Sequence, residues 1–325
     1  MMNRRRFVEA LAVCAAWPQG AFAQRGSPLL ALLDGKSRAA GQGLLTAFQQ
    51  GLTELGHVEG QNVDIIYRFA DGHDDRLPKL ATEVVALRPS VIVAPGVNAA
   101  VAAKKATSEV PIVSWALADA INLGLVASYA RPGGNVTGIM PYVEGLPAKQ
   151  VELARRVMPS AKRIGLFGNQ NDPKAPPQRR EMEAAARSLN LEVAAPDLRQ
   201  PSDIAGAMDM LAKQRADVVI VLETALTLSE RQQIGKVALM HKLPTVFGYR
   251  ENVEAGGLVS YGVDLRWCSK RAATFVDKIL KGARPGDLPV EFPTSLLLTV
   301  NLKTAKALNL EISQTVLASA DEVIR

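Results

Sequence analysis

Short apolar runs recur along this chain, and their spacing is the strongest constraint on its fold. Four runs form a first set and four a second, each offset from its counterpart by roughly 130 residues. Runs that are apolar on both faces are typical of parallel strands covered by helices. The sequence therefore predicts an α/β protein with two similar, doubly wound parallel-sheet lobes. The runs are LLALLDG, VDIIYRFADG, SVIVAPG and PIVSWA, then RIGLFGNQ, LEVAAPDL, DVVIVLE and PTVFGYR.

The stretch Pro111–Tyr142 divides the two halves and changes its hydrophobic period along the way. PIVSW predicts a short buried strand, and the apolar spacing of DAINLGLVASYA predicts a helix. The glycines and proline of RPGG predict the end of that helix, and NVTGIMPY predicts an extended segment. We expect this segment to cross from the first lobe to the second.

Two later segments predict further crossings. GLVSYGVD reads as extended, the helix that runs through Leu280 is expected to return to the first lobe, and LPVEFPTSLLLTVN then crosses again. Three crossings form a hinge that allows closure over a ligand. We predict that lobe I comprises residues 27–140 plus 263–288, and that lobe II comprises residues 141–262 plus 289–325.

The first 23 residues have the pattern of an export signal. A basic head is followed by a short apolar middle, and Ala21 and Ala23 precede Gln24 as in a cleavage site. Arg4 and Arg5 loosely fit the twin-arginine variant, although an amphipathic first helix of the domain is the alternative. A lipoprotein cleavage site at Cys14 is less favoured because Val13 is large. The pattern predicts a periplasmic location.

Composition excludes several classes of protein. The chain has 325 residues, 48% of them hydrophobic, which is enough for two packed cores. Its formal net charge is +6, but no basic stripe with interleaved aromatic residues predicts nucleic-acid binding. Without the signal only Cys268 remains, so neither a disulfide nor a zinc site is expected. We expect a monomer that holds no metal and no cofactor.

Polar and aromatic side chains follow several of the predicted strands. The carboxyl ends of parallel strands meet at one edge of a sheet, where α/β proteins bind ligands. Facing edges of two lobes would therefore form a cleft with groups for a zwitterion and rings for apolar area. The predicted ligand-binding residues are Asp34, Ser37, Asn98, Trp115, Asp119, Tyr142, Asn169, Glu223, Tyr249 and Arg250.

Each of these residues also has a purely structural interpretation. Asp34 and Asp119 could cap helices, and Trp115 could be a packing residue of the core. Arg250 is the best candidate to grip a carboxylate with two hydrogen bonds, but it could instead pair with Glu251 or Glu254. The shared position at strand ends is what favours a ligand site.

An enzyme is the alternative, for example a two-lobed protein of the glycosyltransferase type. None of the histidines, His57, His73 and His241, accompanies a plausible nucleophile. Gly41-Gln42-Gly43 lacks the third glycine of a dinucleotide fingerprint, and no phosphate-loop pattern occurs. We predict no catalytic residues and no enzymatic activity. A ligand-responsive transcription regulator is not favoured, because no helix-turn-helix segment precedes the first strand.

Several long segments resemble a known family. They are ELGHVEGQNVDIIYRFADGHDDRLPKLA, GLVASYARPGGNVTGI, FGYRENVEAGGLVSYGVDL, RAATFVDKILKGARPGDLPVEFPT and VNLKTAKALNL. In this order they are similar to the tryptophan-binding-protein-like substrate-binding proteins of ABC transporters. The resemblance implies a type I periplasmic-binding fold, capture of a small solute such as an amino acid or an aromatic or organic acid, and its delivery to an inner-membrane permease.

Two positions depart from the pattern of that family. Its members carry Asp-Pro after the fourth strand of the first lobe, where this chain has Asp119-Ala120. They carry Ser or Thr followed by Pro near the third strand, where this chain has Val97-Asn98. Both departures fall in the predicted cleft, so they concern the identity of the ligand and leave the fold unaffected.

Overall fold

The computed structural model describes residues 27–141, 143–172 and 174–325. Its first sheet is entirely parallel, with the strand order β2-β1-β3-β4-β5. The strands are β1 Leu29–Asp34, β2 Asp64–Phe69, β3 Val91–Val93, β4 Ile112–Ser114 and β5 Val136–Gly138. The helices between them are α1 Arg38–Glu54, α2 Leu77–Ala86 and α3 Val97–Ala106.

The second sheet has the order β12-β11-β10-β9-β8-β6-β7, and only β10 and β11 pair in antiparallel fashion. Its strands are β6 Arg163–Phe167, β7 Glu192–Ala194, β8 Val218–Val221, β9 Thr245–Phe247, β10 Val259–Val263, β11 Leu296–Asn301 and β12 Glu322–Ile324. The remaining helices are α4 Leu146–Val157, α5 Ala175–Ser188, α6 Ile204–Lys213, α7 Ala225–Ser229, α8 Arg231–Met240, α9 Arg250–Glu254, α10 Leu265–Leu280, α11 Leu302–Ala307 and α12 Gln314–Ala318. Two α/β lobes are thus present, as the repeated apolar runs predict.

Both faces of the first sheet are covered by helices. Successive side chains of a strand point to opposite faces. In β1, Leu30 and Leu32 pack in a cluster with Phe48 of α1, whereas Leu33 packs in a second cluster with Val84 of α2. Burial on both faces is why the strand sequences are continuously apolar rather than alternating.

Helix α10 follows β10 of the second sheet but packs against α1 of the first lobe. The two helices approach so closely at Gly51 that an added Cβ would lie 2.6 Å from the carbonyl oxygen of Lys270. The Ser269 hydroxyl also donates a hydrogen bond to the carbonyl of Leu44. The chain therefore returns to the first lobe at α10, as the sequence predicts. Domain boundaries at individual residues remain a prediction.

The first and third crossings lie side by side at the hinge. The Glu291 N–H donates to the carbonyl of Gly138 over 2.9 Å, and the Met140 N–H donates to the carbonyl of Glu291 over 2.9 Å. The Glu291 carboxylate accepts two hydrogen bonds of 2.8 Å from Arg271 on α10. Backbone pairing and a bidentate ion pair thus join the crossing segments to the helix that returns to the first lobe.

The helix predicted over Asp119–Ala130 is wrong. This segment forms consecutive turns, because Asp119 adopts a left-handed φ of 47° and Gly124 a φ of 67°. The Ala120 carbonyl accepts from the N–H groups of both Leu125 and Val126, which closes a single turn instead of propagating a helix. Leu125 and Val126 are buried there all the same, so burial accounts for the apolar spacing without a helix.

The predicted export signal, residues 1–23, lies outside the described residues and remains a prediction. Within residues 27–141, 143–172 and 174–325, none of the helices has the length and apolar character needed to span a membrane.

Candidate functional site

The carboxyl ends of the two sheets face each other across a cleft. Between them lies a cavity of about 50 Å³, which we call the inner cavity. About 10–15 Å³ is enough for one water molecule, so the inner cavity has room for only a few. The first lobe contributes the residues that follow β1, β3 and β4, and the second lobe contributes the loops after β6, β8 and β9.

Apolar side chains from both lobes meet beside the inner cavity. Leu44 and Trp115 of the first lobe belong to the same hydrophobic cluster as Leu228 and Tyr249 of the second. Trp115 also packs against Phe48, with 5.5 Å between ring centroids. Trp115 therefore both lines the cavity and fills the core, so its two sequence-based interpretations are compatible.

Asp34 ends β1 and forms a buried ion pair with Lys36. The Lys36 ammonium lies 2.9 Å from the Asp34 Oδ1, and the Lys36 backbone N–H donates to the same oxygen over 3.0 Å. Both side chains are only about 6% exposed. Because each charge is neutralised by the other, the pair forms a polar but electrically balanced part of the wall.

Asp74 faces the same cavity from the loop after β2. Its Oδ2 accepts a 2.7 Å hydrogen bond from the side-chain amide of Asn98, at the start of α3. Burial raises the pKa of Asp74, the Asn98 hydrogen bond opposes this, and the Asp172 carboxylate across the cleft raises the pKa further. A positively charged ligand group placed here would relieve the repulsion between the two carboxylates.

The start of α3 offers hydrogen-bond donors to the inner cavity. Gly96 precedes the helix and has no side chain to cap it, and the first turn carries no acidic residue. Gly96, Val97, Asn98 and Ala99 all line the cavity. The first N–H groups of a helix have no partner within it and carry partial positive charge, so they suit a ligand anion.

On the opposite wall, Asp172 and Lys174 follow β6. Asp172 is buried, and its two oxygens accept from the backbone N–H groups of Lys174 at 2.9 Å and Ala225 at 3.0 Å. These bonds fix the start of α7 against the loop. Burial lowers the pKa of Lys174, and the Asp172 and Glu223 carboxylates oppose that shift. Lys174 makes no ion pair within the part of the chain that is described.

Tyr249, Glu223 and Gln150 form a buried network behind the second wall. The Tyr249 hydroxyl is hydrogen-bonded to the Glu223 carboxylate, which also accepts a 3.0 Å bond from the Gln150 amide. Gln178 fixes the Glu223 backbone, accepting from its N–H over 2.8 Å and donating to its carbonyl over 3.2 Å. Burial raises the pKa of Glu223, whereas Lys174 and the hydrogen bonds from Gln150 and Tyr249 lower it. Burial and the adjacent Glu223 raise the pKa of Tyr249 well above its usual value.

The structure brings several predicted site residues together. Asp34, Asn98, Trp115 and Tyr249 line the inner cavity. Glu223 lies directly behind Tyr249, so its effect on a ligand would pass through the tyrosine. Their positions at strand ends are what the pattern of the sequence anticipated.

Three predicted residues lie away from the inner cavity. Ser37 caps α1, because its hydroxyl accepts from the Ala40 N–H over 3.2 Å. Asn169 orders its own loop by accepting from the Asn171 N–H over 2.9 Å. Arg250 pairs with Glu254 at 3.1 Å and Glu322 at 3.0 Å, so it ties α9 to β12 instead of facing the cleft.

Asp119 lies in a second cavity between the lobes. This space of about 370 Å³, which we call the outer cavity, is separate from the inner cavity but shares Lys174 with it. Asp119 does not cap a helix, since none follows it, and its Oδ1 accepts a 2.7 Å bond from the Asn122 amide. The remaining predicted residue, Tyr142, lies outside the described residues.

Sequence reasoning missed Lys36, Asp74, Asp172 and Lys174 as lining residues. Asp172 and Lys174 lie in the loop between β6 and α5, so the rule for strand ends could have found them. Asp74 precedes α2, where an aspartate is typical of a helix cap rather than of a ligand site, although the cap position of α2 is Arg76. Lys36 carries no signal of its own, because an isolated lysine after a strand is usually a solvated side chain.

The described residues contain no group of three or more His, Cys, Asp or Glu side chains arranged to hold a metal ion. Cys268 is fully buried in the cluster between α1 and α10. Burial raises the pKa of its thiol to about 12, so it stays protonated at neutral pH. It is a packing residue, as the helical spacing around it indicates.

Comparison with known proteins yields one family. The sequence profile of the family described as "ABC transporter substrate binding protein" matches residues 31–324. A curated relative, the tyrosine-binding protein of Clostridioides difficile, is 28% identical over 81% of this chain and 76% of its own length.

Solved structures with the same fold include a ligand complex and an open form. An ABC domain from Streptococcus pneumoniae in complex with L-Trp is 25% identical, covers 92% of this chain and all of its own, and has a TM-score of 0.85. The ligand-free, open structure of a substrate-binding protein from Clostridium difficile is 24% identical, covers 91% of this chain and 99% of its own, and has a TM-score of 0.66.

Proposed function

Because the chain belongs to the ABC transporter substrate-binding protein family, we propose that it captures an amino acid between its lobes and delivers it to its permease. The observation that carries this proposal is the inner cavity, where acidic side chains and an uncapped helix start face the same small space. A zwitterion needs partners of both signs within a few ångströms of each other. The inner cavity offers such a pair of partners.

The residues that line the inner cavity indicate where the carboxylate and the ammonium of the ligand would bind. The ligand carboxylate would accept from the N–H groups at the start of α3, with Lys174 nearby as a second source of positive charge. The ligand ammonium would lie between Asp74 and Asp172, whose mutual repulsion it removes. Asp34 already has Lys36 as its partner and is a positioning residue in this arrangement.

Closure of the lobes is the proposed capture step. An open form exchanges with a closed form, and a ligand that contacts both lobes stabilises the closed one by its differential affinity. At nearly equal identity, the chain matches the L-Trp complex with a TM-score of 0.85 and the open structure with 0.66. This supports the view that the described cleft is the closed form.

Substrate-binding proteins of ABC transporters act outside the cytoplasm and pass their ligand to a membrane permease. We propose that residues 1–23 direct export to the periplasm, and that the hinge divides the chain into residues 27–140 plus 263–288 and residues 141–262 plus 289–325. We further propose a monomer that leaves its ligand chemically unchanged, so that it acts as a binding protein and not as an enzyme.

A thermal-shift screen of the purified, refolded protein against the common amino acids tests the proposal. A ligand at a hundred times its dissociation constant adds about 2.7 kcal/mol of stability, which corresponds to a rise of a few degrees in Tm. We expect such a rise for at least one amino acid, and chromatography should recover that compound intact. The absence of any shift across the whole series would contradict the proposal.

Two substitutions then test the site by titration calorimetry. Asp74→Asn removes a charge that faces the ligand ammonium, and we expect the affinity to fall by about tenfold or more. Arg250→Ala is the matched control: it removes a charge that pairs with Glu254 and Glu322 away from the cavity, so affinity should stay within about twofold of the wild type. A large loss with Arg250→Ala would restore Arg250 to the ligand-binding residues.

A further inference from the structure

We propose that the outer cavity receives the distal end of the bound solute and favours an anionic group there. The inference rests on the proposed function, because it assumes that the zwitterionic head of an amino acid occupies the inner cavity. The inference assigns the side-chain end of the ligand to the outer cavity, whose described lining shares only Lys174 with the inner cavity.

Size is the first argument. The inner cavity of about 50 Å³ holds a few water molecules, which suits the ammonium and carboxylate of an amino acid but leaves no room for a large side chain. The outer cavity is about 370 Å³. A closed apolar cavity of about 150 Å³ already admits benzene, so an aromatic ring with a substituent fits this space.

The two cavities adjoin along the interlobe cleft. Lys174 lines both of them, and on the opposite lobe Ala116 lines the inner cavity while Ala118, two residues later, lines the outer one. A solute whose head lies at the start of α3 would therefore reach the outer cavity by extending past Lys174. The shared residue Lys174 and the short separation of Ala116 from Ala118 place the two cavities next to each other.

The outer cavity has partly apolar walls that are held in place. Met140 is buried, and the ring of Tyr129 packs edge-on against Phe292, with 5.2 Å between ring centroids. The Tyr129 carbonyl also accepts from the Val290 N–H over 2.8 Å, which anchors it to the third crossing segment. Pro176 and Pro177 form the facing wall at the start of α5. Such surfaces suit a planar ring.

Charge is the argument that selects the distal group. Lys174 and Arg180 both line the outer cavity, and neither makes an ion pair within the described part of the chain. The only carboxylate in the described lining belongs to Asp119, and one of its oxygens is already bonded to Asn122. The Asp172 and Glu223 carboxylates act on Lys174, so Arg180 is the lining cation whose charge no described carboxylate pairs with. A ligand anion near Arg180 would supply the missing partner.

The neighbouring arginine makes a useful contrast. Arg179 donates to Glu183 over 2.7 Å and to Gln170 over 3.4 Å, and it does not line the outer cavity. Among the described residues, Arg180, one residue later on the same helix, has no such partner. The helix therefore presents one arginine whose charge is neutralised and one whose charge is available to the cleft.

Four amino acids with the same head and ring, but different distal groups, provide the test. They are phenylalanine, tyrosine, 4-carboxyphenylalanine and 4-aminophenylalanine, each titrated calorimetrically into the purified protein at pH 7. We expect 4-carboxyphenylalanine to bind at least about fivefold more tightly than phenylalanine, and 4-aminophenylalanine to bind no better than phenylalanine.

Three variants test which residues cause the preference for an anionic distal group. Arg180→Ala should abolish the advantage of 4-carboxyphenylalanine over phenylalanine, and Arg179→Ala should leave it unchanged. Asp119→Asn should enlarge it, because asparagine tolerates the left-handed backbone of Asp119 and removes the opposing charge. Comparing ratios within each variant cancels any general effect on the fold or on closure.

The outcomes separate the two proposals. Equal binding of all four amino acids, or an unchanged ratio in Arg180→Ala, overturns the anionic preference while leaving amino-acid capture intact. No binding of any of the four by the wild type overturns the inference, and the thermal-shift screen then shows independently whether amino-acid capture fails as well.

Discussion

The two walls of the inner cavity are built in different ways. On the first lobe, the buried charge of Asp34 is neutralised by Lys36, only two residues further along the chain. On the second lobe, Glu223 depends on Gln150, Gln178 and Tyr249, which come from α4, α5 and the end of β9. The first wall is therefore fixed largely by local sequence, and the second by the packing of several elements.

The difference has consequences for stability. A local ion pair has a single partner, so the loss of that partner leaves one buried charge uncompensated. A network distributes its hydrogen bonds, but it requires that its members approach closely. At Gly248 this requirement is evident, because an added Cβ would lie only 1.9 Å from the Oε1 of Glu223.

Removing Lys36 should produce the largest effect. Lys36→Ala leaves Asp34 buried without its counter-charge, so we expect the free energy of unfolding in urea to fall by about 3–5 kcal/mol. Lys281→Ala is the control, because Lys281 pairs with Asp277 at 2.8 Å while its own side chain is 68% exposed. That variant should lose less than about 1 kcal/mol. Similar losses in both variants would contradict a special role for the buried pair.

Gly248→Ala should disrupt the second wall. The new methyl group would occupy the position of the Glu223 carboxylate, so we expect a loss of about 3 kcal/mol in the free energy of unfolding. Gly206→Ala in α6 is the matched control, since its added Cβ meets no atom within 4 Å and alanine favours a helix. The control should be neutral or slightly stabilising. If Gly248→Ala is equally harmless, the network is less closely packed than its geometry indicates.

A smaller effect concerns the pH dependence of the second wall. The pKa of Glu223 is raised on folding, so the folded state retains the proton at a pH where the unfolded state, with a pKa near 4.5, has lost it. Stability from this group is therefore present at low pH and is lost as the pH rises from about 4.5 through the folded pKa. Glu223→Gln should flatten the fall in unfolding free energy over that range.

Asp209→Asn is the control for this measurement, because the Asp209 side chain is half-exposed and its pKa is lowered by a hydrogen bond from Lys213. Stability from a lowered carboxylate pKa is present above the unfolded value and is lost as the pH falls, so this variant changes the curve in the opposite direction. An unchanged slope in Glu223→Gln would show that Glu223 titrates normally in the folded protein.

Much of the fold could be predicted from the sequence because the relevant signals are local. Apolar runs such as Leu29–Asp34 and Val218–Val221 are short, bounded by turn residues and buried on both faces. These features are typical of parallel strands. The segment after Asp119 was wrongly predicted to be a helix. Its apolar spacing indicates which residues are buried, and buried residues can have this spacing without forming a helix. Positive φ angles at Asp119 and Gly124 turn the chain where the pattern predicts continuation.

The candidate site was only partly predictable, for a related reason. Asp34, Asn98 and Tyr249 lie at or shortly after the ends of strands, and the topology of a parallel sheet places such residues at one edge. The same rule also selected Arg250. The side chain of a residue at a helix start can point into the cleft or towards neighbouring elements of its own lobe. Here it turns to Glu254 and Glu322, the second of which lies 72 residues away in the chain.

The sequence alone determined the duplicated α/β organisation, the return of α10 to the first lobe and the edge of each sheet at which polar residues collect, because periodicity and strand polarity are properties of short segments. The tertiary structure decided which of those residues face one another. Lys174, Asp119 and Arg180 are ordinary polar residues in the sequence, and they become parts of one cleft only through the arrangement of the two lobes in the folded protein. Contacts between lobes depend on the relative placement of two separately packed cores, which a local pattern does not specify.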